Sequence, residues 1–250
     1  TVAGCTLADG LILGGGTDLQ IVQNHITGIG LRVTAASQGL IVGNDMEAAA
    51  VLLELAAPFA GPIQGNAIHG GGTGVQYDAP ATLIGNRIFG NTVGVRSTVA
   101  GNEGFGFLGA LPLAGVVEGR LQNEITGNTT GVLLVNASVQ AQWIHDNTTG
   151  VSGSGTVGGS DLAHANLIEG NATGVSVGGM IQWNRIARNT IGIAAASDDT
   201  IVHNLIYGNL SQGVLISGKT DVRIVNNTFY APTGDNIRLQ SASSEVEVEN

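Results

Sequence analysis

The chain has 250 residues, of which 43% are hydrophobic, 11% charged and 4% aromatic, with 40 glycines, a net charge of −10 and a pI near 4.7. Nineteen acidic against nine basic residues, with Lys219 the single lysine, argue against nucleic acid or an anionic membrane as a partner. So much glycine with so few aromatics describes many tight bends around a narrow aliphatic core, not a globular enzyme interior. One cysteine, Cys5, excludes an intrachain disulfide and reads as a small buried residue. No run approaches the roughly 18 apolar residues of a membrane span, because the most hydrophobic stretch, AAAVLLELAAPFAG, is broken by Glu54 and Pro58. No secretory signal is present, which fits a mature or excised chain.

Along the chain one phrase recurs: NRIFGNTVGV from Asn86, NEITGNTTGV from Asn123, QWIHDNTTGV from Gln142, NLIEGNATGV from Asn166, NRIARNTIGI from Asn184 and NLIYGNLSQGV from Asn204. A phrase returning about every twenty residues is the mark of a solenoid. The same anchor falls at Cys5, Asn24, Asn44, Asn66, Asn86, Asn123, Gln142, Asn166, Asn184, Asn204, Asn227 and Asn250, at spacings of 18 to 24 apart from one gap of 37. With that gap read as two coils, GNEGFGF from Gly101 standing for the degraded one, the chain divides into about 12 coils of roughly 20 residues. Stacked about 4.8 Å apart, they would make a rod roughly 55 to 60 Å long.

The residue two places after each anchor is Ile at 26, 68, 88, 125, 144, 168, 186 and 206, so it points inward and stacks on its equals. Its flanking residues point outward. Asn at a bend can take a left-handed backbone, and its amide both donates and accepts, so stacked copies can bond along the rod. A second Asn column stands at Asn91, Asn128, Asn147, Asn171, Asn189 and Asn209, followed by a Gly (Gly94, Gly131, Gly150, Gly174) that permits the next tight bend. The chain starts and stops inside coils with no cap at either end, which reads as an excerpt of a longer β-helix or as chains that stack end to end.

These residues resemble the right-handed parallel β-helix repeat proteins of the pectate-lyase-like group, over nearly the whole chain. The resemblance implies an all-β fold, a single-stranded right-handed parallel β-helix, as one domain over residues 1–250. The group includes polysaccharide lyases, mannuronan epimerases, polygalacturonase-type hydrolases, tailspikes and surface proteins without a known reaction, so the fold does not give the function.

Chemistry is to be sought in the outward columns one and three residues after the anchor. His25, Asp45, Glu47, His69, Arg87 and Phe89 gather there on four consecutive coils. In a lyase or epimerase acting on a uronic acid, Arg87 would neutralise the substrate carboxylate, His69 would take the C5 proton with His25 beside it, and Asp45 with Glu47 would hold a calcium. Farther on, Trp143, His145, Glu169, Arg185, Tyr207 and Tyr230 form a strip suited to stacking on sugars and bonding their hydroxyls. On the sheet where lyases of the group usually react, the outward residues are Arg32, Gln76, Arg96, Leu133, Ser152, Ser176, Ala194, Leu215 and Arg238, a bland column. The Asp-Pro-His-Glu motif of mannuronan epimerases is missing, and Asp198-Asp199 reads as a pair of solvated turn carboxylates. The small residues of GVSGSGTVGG, GVSVGG and GIAAAS suggest a flat face that another chain could approach. Departures from minimal coils are short, near residues 48–61 and 106–119, which weighs against a deep substrate groove. The reading that follows is a secreted or cell-surface structural or adhesive segment of bacterial type, part of a fibre or large exoprotein, with itself or a polysaccharide as partner and with no cofactor beyond a candidate calcium. A polysaccharide lyase or epimerase is the alternative, and a non-catalytic glycan-binding module the second.

Overall fold

A computed structural model of the chain describes residues 1–99 and 122–249. The fold is a right-handed parallel β-helix with three faces. Sheet A has five strands, from Val2–Ala3 to Ala81–Ile84; sheet B has eleven, from Thr6–Leu7 to Thr228–Tyr230; sheet C has fourteen, from Leu11–Leu13 to Ser244–Glu249. Every strand pairs in parallel with its equivalent one turn away. Sheet B contributes one short strand per turn, so its eleven strands count the turns.

The interval from Asn86 to Asn123 is one turn, not two. Arg87, Ile88 and Phe89 pair directly with Glu124, Ile125 and Thr126, and Asn86 Nδ2 donates to Asn123 Oδ1 at 2.8 Å. GNEGFGF, the departure near residues 106–119 and the last anchor, Asn250, lie outside the described residues.

The core is a set of stacked columns. Ile26, Met46, Ile68, Ile88, Ile125, Ile144, Ile168, Ile186 and Ile206 follow one another in register and are all buried. Leu31, Leu53, Val75, Val95, Val132, Val151, Val175, Ile193 and Val214 do the same under sheet C. Branched side chains suit this stack because they fill a pleated surface with little loss of rotamer freedom.

Two asparagine ladders flank sheet B. In the second, Asn147 Nδ2 donates to Asn171 Oδ1 at 3.0 Å and to the carbonyls of Ile125 and His145, while Asn147 Oδ1 accepts from the Asn128 amide. In the first, the side-chain chain runs from Asn24 through Asn123 to Gln142 Oε1. There Gln142 turns its own Nε2 back to Gln140, and the ladder resumes from Asn166.

Two expectations about the bends are corrected. The left-handed residue is the one before most of the ladder asparagines, as at Gln23 (φ 53°) and Trp183 (φ 56°), with glycine at Gly43, Gly65 and Gly85, whereas Ala165 before Asn166 is extended (φ −65°). The Gly of the Gly-Val pair has no positive φ; a Cβ at Gly150 would lie 2.5 Å from the Gly174 oxygen, so glycine is required by the closeness of the next turn. Cys5 keeps its place in the anchor column, its N–H on Asn24 Oδ1, but it is exposed instead of buried.

Candidate functional site

The ladders hold the three-residue strands of sheet B flat, and each strand presents two residues outward. Register puts His25, Asp45, Ala67, Arg87, Glu124, Trp143, Leu167 and Arg185 in one column. Glu47, His69, Phe89, Thr126, His145, Glu169, Ala187, Tyr207 and Tyr230 form the other. The sequence therefore placed both candidate clusters on one face.

The first cluster closes on itself. His25 Nδ1 lies 3.2 Å from Asp45 Oδ2 and its Nε2 lies 3.4 Å from Glu47 Oε1; His69 Nε2 lies 2.8 Å from Asp45 Oδ1 and its Nδ1 lies 4.0 Å from Glu47 Oε2. Each imidazole thus addresses two carboxylates and each carboxylate two imidazoles. The donor atoms face one another in pairs, and no common point is surrounded by three of them. Among the described residues no group of three or more His, Cys, Asp or Glu side chains is arranged to hold a metal ion. The oxygens of Asp45 and Glu47 are turned to the histidines. Arg87 is likewise engaged, with Nε 3.0 Å from Glu124 Oε2 and its guanidinium 4.4 Å over the Phe89 ring. The His69 ring stacks on the same Phe89 at 4.6 Å.

The second cluster is just as occupied. Trp143 stacks on His145 at 4.0 Å and donates its indole N–H to Glu169 Oε1 at 3.1 Å. His145 sits between Glu124, at 3.2 Å, and Asp146, at 2.8 Å. Glu169 is buried and also pairs with Arg188, a residue the sequence reading passed over because it stands in a bend. Arg185 donates to the Tyr207 hydroxyl, and Tyr230 is 65% exposed. A further stack, Trp183 on His203 at 4.6 Å, borders the face from the first bend, where both residues hold a left-handed backbone.

Asp199 is the other residue the sequence misplaced. It is no solvated turn carboxylate but is fully enclosed, with Oδ1 accepting from Gly179 N at 2.8 Å and Oδ2 from Ala196 N at 2.6 Å. Burial pushes its pKa up to about 6, against the pull of those two amides and of Lys219. Only the single fixed spacing to the bend distinguishes it from Asp198, so the sequence carries no signal for it. The bland column of sheet C does stand in register, from Arg32 through Gln76, Arg96, Leu133 and Ser152 to Ser176, and from Ala194 to Leu215 and Arg238.

The family described as periplasmic copper-binding protein (NosD) matches residues 18–247. The chain belongs to the NosD family. No curated protein matches it. Among solved structures, this NosD-family chain is similar to a GH136 lacto-N-biosidase from Eubacterium ramulus. The selenomethionine derivative is 10% identical with a TM-score of 0.32, covering 94% of this chain and 50% of that one. For the native protein the values are 9%, 0.28, 98% and 51%. The chain spans about half the length of that enzyme. No helix among the described residues is long and apolar enough to cross a membrane.

Proposed function

We propose that this NosD-family chain is a structural or adhesive β-helix segment of a cell-envelope or secreted protein, acting as a rigid scaffold rather than as a catalyst. One observation carries the reading: on sheet B nearly every side chain with chemistry to offer is already held by a neighbour, most of them one turn away, so the face is braced rather than poised. An active site needs groups aimed at a substrate and a wall to exclude water, whereas this face is flat and its ion pairs run from turn to turn. The periplasmic description of the family supports an envelope location. Copies of the chain, laterally or end to end, or a neutral polysaccharide lying along sheet B beside the exposed Tyr230, are the partners that fit such a face.

Copper, which the family's name mentions, finds no fitting centre among the described residues. The imidazoles and carboxylates of the first cluster are paired off, Met46 is buried in the core, and Cys5 stands apart in the anchor column. The test is turnover: uronic-acid polysaccharides incubated with the protein, with and without calcium, are expected to give no unsaturated products. Products that vanish in His69→Ala or Arg87→Ala would establish the lyase and end the scaffold reading.

A further inference from the structure

Sheet C changes character along the rod. Three successive turns carry one long strand through the bend, Thr130–Val139, Thr149–Val157 and Thr173–Gln182. The next turn splits it into Ile191–Ala194 and Thr200–Val202, with residues 195–199 leaving the sheet. Asp199 mends the split from inside, bonding Gly179 of the preceding turn and Ala196 of its own. Outside, the step leaves a depression of about 290 Å³ lined by Ser176, Ala194, Ala196, Leu215, Ser217 and Lys219, with glycine backbone as its floor.

Lys219 has an unusual standing. Arg32, Arg87, Arg96, Arg188, Arg223 and Arg238 each hold a carboxylate, and Arg185 holds the Tyr207 hydroxyl. Among the described lysine and arginine residues Lys219 is the one with neither an ion pair nor a hydrogen bond, its charge acting only at longer range on Asp199. The Ser176 and Ser217 hydroxyls in the same depression also have no protein partner. Unused donors gathered around a concave surface contrast with sheet B, where such groups are consumed.

We propose that this depression binds a small organic monocarboxylate, its charge on the Lys219 ammonium, its oxygens within the donors of Ser176 and Ser217, and its carbon skeleton against Ala194, Ala196 and Leu215. A lone ammonium, without an arginine fork, matches one negative charge rather than a phosphate dianion. Asp198, in an exposed turn with its N–H on the Thr220 carbonyl, and Asp221, exposed in the strand Thr220–Val225 two residues from Lys219, oppose a second charge. The volume lies at the small end of ligand pockets, room for one sugar-acid ring or a short-chain acid. The ligand arrives as a free acid or as a uronic-acid unit of a glycan, with the same carboxylate in either case.

Asp199 gives the site a signature. Its carboxyl lies behind the depression and is raised to about 6 by burial, with Lys219 lowering it and Asp198 raising it. Below that value Asp199 is neutral and ceases to repel a bound carboxylate, while a sugar acid remains ionised. Binding therefore tightens as pH falls from about 7.5 to about 5.

The experiment is a titration of backbone amide NMR signals with glucuronate, acetate, a uronic-acid oligosaccharide and glucose. Saturable shifts at residues 194–196 and 215–217 with millimolar affinity are expected for the acids and not for glucose. Affinity should be about threefold or more higher at the lower pH and about tenfold weaker in Lys219→Gln, which removes the ammonium without breaking an ion pair or hydrogen bond. A response to the oligosaccharide alone identifies a glycan unit, and a response to glucuronate and acetate identifies a free acid; either supports the site. Asp199→Asn should flatten the pH dependence, and if that variant does not fold, Lys219→Gln still decides. No saturable shift with any acid, an equal response to glucose, or unchanged affinity in Lys219→Gln overturns the proposal.

Discussion

Asn147 and Asp199 are both enclosed polar side chains that tie the main chain of adjoining turns, and they do so in opposite ways. The Asn147 amide donates three times and accepts from Asn128, so each copy in the column completes the next. Asp199 only accepts, from Gly179 and Ala196, and has no copy above or below it. A column is extended by a neutral group that is its own partner, and the Asn amide does this while keeping a second N–H for the main chain, which a hydroxyl cannot. Where carboxylates do face each other across turns, at Asp221 and Glu245, they remain at the surface, and the bond from Asp221 raises the Glu245 pKa. Repetition thus selects neutrality, and a charged stitch is confined to the place where repetition fails.

The strongest way to break this comparison is to interrupt a ladder. Asn147→Ala strands the Asn128 N–H and the carbonyls of Ile125 and His145 in a dry interior, and should cost about 3–5 kcal/mol in chemical denaturation. Asn147→Asp should be at least as damaging at pH 7, where a carboxylate meets the Asn171 Oδ1, and milder at pH 4, where the protonated acid regains one donor. Equal stability of wild type and Asn147→Ala would mean that the ladder follows the fold without supporting it.

The reverse exchange, Asp199→Asn, tests the charged stitch. The Asp199 pKa is raised in the folded protein, from 3.8 to about 6, so its contribution to stability is complete below the unfolded value, declines as pH rises through about 6, and is flat above. Between pH 4 and pH 7 the wild type should lose on the order of 2 kcal/mol relative to Asp199→Asn, read as the difference between their unfolding curves. Parallel curves would show that Asp199 titrates alike in both states.

Most of the helix was readable because each statement about it was made many times over. Ile88 alone says little, but Ile at eight turns in one column fixes its side and its stacking. The same statistics hid the reason for individual residues. Gly150 suggested a bend, since sequence shows a glycine but not whether torsion or crowding demands it; the oxygen of Gly174 at 2.5 Å answers that. The left-handed residue was assigned to Asn, whereas the mixed column of Gln23, Gly43, Ala141, Trp183 and His203 just before it carries the positive φ. The 37-residue interval misled because length was taken for turns, and only the pairing of Arg87 with Glu124 counts them. Sheet B's outward residues were located correctly from period alone, but what they do depends on their partners, and no spacing reveals that His25 and His69 share Asp45. Asp199, stated once, was invisible.

The bend column offers a finer contrast. Ala141 holds φ at 54° and is completely buried, while Gly127 holds 62° in the equivalent bend before the second ladder. Ala141→Gly should stabilise by about 0.5–1 kcal/mol and Gly127→Ala should destabilise by about 1 kcal/mol, since a Cβ is strained in the left-handed region and the space around Gly127 is open. The two shifts in midpoint are expected to be opposite in sign, and a destabilised Ala141→Gly would mean that packing of its buried Cβ outweighs the backbone strain.

The smallest effect belongs to the face that attracts the eye. His25, His69, Asp45 and Glu47 are between a quarter and a half exposed, so water screens their attraction. Removing one partner, as in His69→Ala, releases both the contact to Asp45 and the stack on Phe89, and should cost no more than about 1 kcal/mol. Double-mutant cycles with Asp45→Asn would show whether the ring is a set of independent pairs or one unit. A coupling well above that scale would mean the four side chains act together as a clamp across three turns, and would make this cluster, rather than the ladders alone, a determinant of how firmly those turns stack.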